Sequence, residues 1–214
     1  MMVKSKLIGE VKDLIKKKYF AYFEKGGGKG YRYYHAVRVA DDALRYVNKF
    51  NISLDKDVLV ISCLLHDIGK TVMSSNTEIT YDSPIEEHCV KGSQQAENIL
   101  TRLNASSKLI NHVKEIILNH HDLDSELVEI KILQNADDLD EFGMLNVWRI
   151  LSYSFQTDRS PQDSCHYWFS VYETMQSKIA SNFSIPFFKE LALKRVENCN
   201  YFFTTFSKEL NSND

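Results

Sequence analysis

The sequence predicts an all-α protein, and three observations carry that expectation. Only three prolines and eight glycines interrupt 214 residues. Few stretches alternate apolar and polar residues as half-buried strands do. Two segments also open on a capping residue followed at once by proline, Ser83-Pro84 and Ser160-Pro161. A chain of this length fits one large domain, or one domain with an appendage, and buries a substantial core without disulfides.

Taken in order, an amphipathic helix is expected from about Lys4 to Phe23. The cluster Lys25-Gly26-Gly27-Gly28-Lys29-Gly30 breaks it, because glycine loses most by being held helical. A second helix, about Tyr31 to Asn48, carries His35, Val39 and Asp42 or Ala43 at helical spacing. The third, about Asp55 to His66, is apolar almost all round and therefore central. Thr71 to Asp82 reads as a polar loop, and Ser83-Pro84-Ile85-Glu86 as a helix start with Ser83 as N-cap, Pro84 in the first turn and Glu86 completing a capping box. That helix should reach about Leu103, with another from about Ser107 to His121 and a further one after Asp124 through Ile130, Leu133, Ala136 and Asp137. Ser160-Pro161-Gln162-Asp163 and Ser184-Ile185-Pro186 start the last helices. Residues 1–160 read as the principal domain. Residues 161–214 read as a helical extension packed on it, whose aromatic side chains suit packing or a homodimer surface.

Composition narrows the partners. The formal net charge of −3 offers no general attraction to nucleic-acid backbones. No apolar stretch approaches the roughly 20 residues of a membrane span, and the N-terminus lacks the apolar core of a signal peptide. Cys63, Cys89, Cys165 and Cys199 form no CxxC pair, which argues against a zinc knuckle or redox motif and suits a reducing cytoplasm. Cys63, inside Val58 to Leu65, reads as a small buried hydrophobe.

The chemistry begins at His66-Asp67, an ionisable pair closing an apolar helix, where burial is costly without partners. A metal ion is the partner that fits best, and His35 and Asp137 supply the missing ligands. Two imidazoles and two carboxylates suit Mn, Fe, Ni, Co or Zn, with Mg the all-oxygen alternative. Four protein ligands leave open positions, the catalytic form of a site, where a metal-bound water is hydroxide near neutral pH. Taken alone, the run Asp137-Asp138-Leu139-Asp140 reads more readily as a solvated acidic helix face than as a source of ligands.

The order His35 … His66-Asp67 … Asp137 resembles the HD-domain superfamily of metal-dependent phosphohydrolases. The resemblance spans roughly residues 33–148 and includes His35-x-x-Arg38-Val39, Leu64-Leu65-His66-Asp67-Ile68-Gly69-Lys70, Gly92-Ser93-x-x-Ala96-x-x-Ile99-Leu100 and Ala136-Asp137-x-Leu139-Asp140-x-x-Gly143. It implies a compact helical bundle around a central metal held by His35, His66, Asp67 and Asp137. Two-metal members carry extra ligands near the positions of His88 and His120, which implies one or two ions here. Lys70 and the His120-His121 pair are similar to the cyclic-dinucleotide phosphodiesterase branch. That branch's glycine-tyrosine-proline signature is absent after His121, and Asp138 stands where several relatives have a basic residue.

Around these ligands, Lys70 and Arg38 are candidate phosphate partners, with His121 a third. Arg38 lies one turn from His35 on the same face, although an ion pair with Asp42 explains it equally well. Glu87, like Glu86, is either a charge favouring a helix N-terminus or a general base. The reading is a phosphohydrolase acting through metal-bound hydroxide on a nucleotide or similar small phosphorylated metabolite, with Asp67 central to catalysis. The alternative is a non-catalytic nucleotide- or protein-binding module on the same fold.

Overall fold

The computed structural model describes residues 2–73, 78–79 and 84–211, with side chains for 6–72 and 84–211. Helices dominate, as the sparse prolines and glycines predict, and the chain divides into two compact units. The first comprises Met1–Glu24 and Lys29–Ala136, the second Lys25–Gly28 and Asp137–Asp214.

In the first unit α3 (Lys56–Leu65) is central. Every residue from Val58 to Leu65 is buried, and the helix packs on α1 (Met2–Tyr19), α2 (Tyr31–Lys49) and α6 (Ser107–Leu118). Each fully buried leucine or isoleucine there contributes about 1.5–3 kcal/mol. The Asp55 side chain caps the helix by accepting from the backbone N–H groups of Asp57 and Val58 at 3.1 and 3.4 Å.

The first helix does not reach Phe23. It stops at Tyr19, turns, and Phe23–Glu24 instead forms a strand paired in parallel with Glu78–Ile79. The reason is local: a helix continuing through this stretch would carry Glu24 away from Arg32, which the extended backbone brings to it. The chain then enters α2 through Gly30, whose φ of 73° is left-handed and whose missing Cβ would meet the Phe20 ring at 2.8 Å.

The polar loop expected from Thr71 to Asp82 is corrected at both described places. Lys70–Met73 is a short helix, α4, drawn up by i to i−3 bonds from Lys70, Thr71 and Val72, and Glu78–Ile79 is a strand. The Ser83 N-cap and its capping box lie outside the described residues. Helix α5 (Ile85–Arg102) has Pro84 as N-cap rather than in its first turn. Helix α6 ends at Leu118, three residues short of His121, because the His120 side chain takes the Ile117 carbonyl that a longer helix would need. Helix α7 (Val128–Asp140) buries Ile130, Ile132, Leu133 and Ala136.

The second unit contains α8 (Met144–Gln156), which was not expected although Val147, Ile150 and Ser154 are buried at helical spacing. It packs with α9 (Pro161–Asn182) and α10 (Pro186–Leu210). Ser160 and Asp163 cap α9 reciprocally, as their spacing predicts. Trp168 stacks on Phe203 at a ring distance of 5.4 Å, and its indole N–H donates to Asn200.

In this unit burial, reinforced by Asp137 and Glu141, pushes the Asp138 carboxyl up to about 7 against the pull of Lys178 and Asn182. The folded state thus holds a proton that the unfolded chain releases near pH 4. The resulting stability is full below that pH and lost as pH rises through about 7. In metal-stripped protein, Asp138→Asn should therefore stabilise by roughly 1–3 kcal/mol more at pH 8 than at pH 5. Melting curves at the two pH values check this, and an equal gain at both would show that the carboxyl is not raised.

Candidate metal centre

Asp67 follows the last residue of the α3 end, where the turn His66 to Gly69 closes the helix. It is 2 % exposed, yet it is ionised. Burial alone would raise its pKa, but Lys70, His66, Arg32 and His35 together more than offset that and hold it well below the carboxylate range. The Arg32 Nη1 donates to Asp67 Oδ2 at 2.5 Å, and Lys70 Nζ lies 2.8 Å from Oδ1 and 3.0 Å from Oδ2.

Two pairs of imidazoles flank this carboxylate. His35 Nε2 and His66 Nε2 are 3.2 Å apart and lie 3.7 and 3.6 Å from Asp67 Oδ2. On the other side His88 Nε2 is 3.9 Å from Oδ1 and 3.3 Å from His121 Nε2. The tautomers of two rings follow from their partners. His66 Nδ1–H donates to the Cys63 carbonyl at 2.7 Å, and His120 Nδ1–H donates to the Ile117 carbonyl at 2.6 Å. A carbonyl only accepts, so each ring carries a proton on Nδ1, and in its neutral form keeps its lone pair on Nε2. His120 Nε2 and His88 Nδ1 are buried without a hydrogen-bond partner among the described residues.

Such orphaned nitrogens are costly unless they face a ligand. Burial depresses the His88 pKa to about 4 and that of His120 well below the usual value, so both rings are neutral at pH 7 and bind a cation without first losing a proton. The donor set thus fits a divalent transition metal. Ligand atoms of His88, Cys89, His120 and His121 all lie within 4.8 Å of one another. Asp137 is the residue after Ala136 on unbroken α7.

The turn after Asp67 is pressed on α5 at two glycines. A Cβ on Gly69 would stand 2.1 Å from the His88 carbonyl oxygen and 2.7 Å from Gly92 N, and a Cβ on Gly92 would stand 3.4 Å from the His66 carbonyl oxygen. The absence of a side chain at Gly69 is what lets α5 bring His88 up to Asp67, while Gly92 contributes a looser fit.

Lys70 stands beside Asp67, and the guanidinium of Arg38 lies over the Tyr31 ring, itself stacked near His35. Asp42 pairs with Arg45 at 2.9 Å. Glu87 is exposed and engaged by Lys91 at 2.5 Å, whereas its neighbour His88 is buried. Cys89, expected neither as ligand nor as neighbour of one, has its thiol 3.6 Å from His120 Nδ1, and burial pushes that thiol up to about 12.

Sequence reasoning missed Arg32 and Glu24. Both are buried, with Arg32 Nε and Nη2 donating to the two Glu24 oxygens at 2.7 and 2.6 Å. Arg32 had the same signal as Arg38, one helical turn from His35 but on the N-terminal side. Glu24 had none, since it lies beside a glycine cluster eight residues from its partner.

Residues 32–141 match the HD domain family. YueE, a predicted phosphohydrolase of Bacillus subtilis, is 30 % identical over 116 residues, a match covering 50 % of this chain and 64 % of that relative. The crystal structure of Bacillus subtilis YpgQ in complex with ADP superposes with a TM-score of 0.68 at 19 % identity, covering 97 % of this chain and 96 % of YpgQ. An HD-superfamily hydrolase from Bacillus thuringiensis gives a TM-score of 0.68 at 22 % identity, over 97 % and 98 % of the two chains. With residues 32–141, just over half of its length, matching the family model and the His66-Asp67 pair buried beside His35 and His88, the chain belongs to the HD domain family.

Proposed function

We propose that this protein hydrolyses a phosphate ester of a nucleotide or similar small phosphorylated metabolite, using a divalent transition metal held by His35, His66, Asp67 and Asp137. The observation that carries the reading is the pair of facing imidazole nitrogens, 3.2 Å apart, beside an ionised buried carboxylate. Two ring lone pairs so close repel each other unless a proton or a cation lies between them. When bound, the metal would supply Lewis acidity and an activated water. The ADP bound by YpgQ supports a nucleotide as substrate class.

The chain's own groups have separable tasks. Asp67 presents one oxygen to each imidazole pair, so it orients ligands on both sides. His88 and His120, neutral and desolvated, are the donors for a second ion. Lys70 supplies a fixed positive charge for the non-bridging phosphate oxygens, acting as a point charge rather than a bidentate clamp. Arg38 and His121 are the further phosphate partners. Glu87 would serve as general base only after releasing Lys91.

The test is a screen of mono-, di-, tri- and cyclic nucleotides against protein stripped with chelator and reloaded with Mn, Fe, Co, Ni, Zn or Mg. Hydrolysis should fall to background on stripping and return with a transition metal. If the protein as isolated holds no metal and no reloaded form hydrolyses any of these nucleotides, the chain is a binding module and the hydrolase reading fails.

A further inference from the structure

The buried Glu24–Arg32 pair has no place in the chemistry above, yet it touches the carboxylate at the centre of it. Arg32 is 5 % exposed, in contact with carboxylates through three nitrogens. A guanidinium has two bidentate edges, one made by Nε with a terminal nitrogen and one by the two terminal nitrogens. Glu24 occupies the first edge with both oxygens. The second is left to meet Asp67 through Nη1 alone.

We infer that Glu24 is a positioning residue for the metal centre: its bidentate hold on Arg32 restricts that guanidinium to a single contact with Asp67 and cancels its charge. The inference rests on the proposed role of Asp67 as a metal ligand.

Two independent features support it. The first is charge. Glu24 with Arg32 is neutral, and Asp67 with Lys70 is neutral, so no net positive charge opposes a divalent cation beside Asp67. Loss of the Glu24 charge leaves a guanidinium that cannot deprotonate. It would be free to turn its second edge fully onto Asp67 and compete with the metal for Oδ2, the oxygen nearest His35 and His66. The second is backbone. Glu24 is buried at the end of a two-residue strand that interrupts helical structure between α1 and α2, and that strand is registered against Glu78–Ile79. The chain leaves the helical regime where Glu24 is delivered to Arg32. Partners of this kind, one shell removed from a ligand, typically change metal affinity 10–100-fold.

The alternative is that Glu24 merely neutralises a buried arginine for stability. Calorimetric titration of the metal-stripped full chain with Mn²⁺ separates the two, with melting curves recorded for each variant. Glu24→Gln keeps the shape of the side chain and removes its charge. It should weaken Mn²⁺ binding by about 10–100-fold, and Glu24→Asp, which keeps the charge, should lose less. Glu24→Gln combined with Arg32→Met removes the competitor as well and should return affinity to within about threefold of wild type, a strong non-additivity. Unchanged affinity in Glu24→Gln, or a double variant no better than the single, overturns the inference while leaving the metal site standing. Absence of Mn²⁺ binding by the wild type sinks the metal reading and this one with it. If Glu24→Gln does not fold, Glu24→Asp decides: a measurable loss of Mn²⁺ affinity that Arg32→Met in the same chain restores supports the inference, and unchanged or unrestored affinity overturns it.

Discussion

Asp67→Ala should lower metal-dependent phosphate release by about 10³-fold or more, the loss expected when several kcal/mol of electrostatic stabilisation disappear. The structure explains why this change outranks any single histidine. Asp67 lies beside both imidazole pairs, so its removal takes a carboxylate oxygen from each side, whereas loss of His35 or His88 affects one. The cost to the fold is smaller than burial suggests. Lys70 can extend to water, being 14 % exposed, and Arg32 keeps both oxygens of Glu24. Helical content by circular dichroism should therefore stay near wild type while bound metal, read by elemental analysis, drops. A variant that retains both metal and activity would remove Asp67 from the mechanism.

Gly69→Ala should be the most destabilising single substitution at the site, costing about 3 kcal/mol or more, which for a chain of this size lowers the melting temperature by roughly 6–12 °C. The added methyl would stand 2.1 Å from a helix backbone carbonyl, that of His88, and no side-chain rotation relieves such a contact. Relief requires the turn and α5 to separate, which moves His88 away from Asp67 as well. Gly92→Ala meets only ordinary or slightly tight contacts, the nearest a methyl of Ile117 at 3.2 Å, and should cost far less. A Gly69→Ala protein that melts within about 2 °C of wild type would mean that the two segments do not approach as described.

How much of this was legible in the sequence depends on how far apart the cooperating residues lie. His35 and His66-Asp67 could be read because each closes or faces an apolar helix and so demands a partner. The helices themselves followed from spacing and from starts such as Ser160-Pro161, whereas the Asp55 cap came to light only in the structure. Contacts made by a change of backbone type were not legible. The Phe23–Glu24 strand is two residues long, too short for any periodicity, and the burial of Glu24 depends on Arg32 eight residues later. The end of α6 was placed three residues late for a similar reason: Asn119, His120 and His121 are no worse in a helix than many residues, and only the His120 side chain's claim on the Ile117 carbonyl stops it. Cys89 was silent because a buried thiol beside a metal ligand and a buried thiol in a core have the same sequence signature.

His66 and His120 share one device. Each lies just past the C-terminus of a helix, and each spends its Nδ1 proton on the carbonyl three residues back, one of those that a helix end leaves without an amide partner. The protonation pattern of these two rings is thereby written into where α3 and α6 stop. Lengthening either helix by one turn would hand that carbonyl to a backbone amide and release the ring to tautomerise, with no ligand residue altered. Helix length, a quantity usually discussed in terms of packing, here sets which nitrogen is available for coordination.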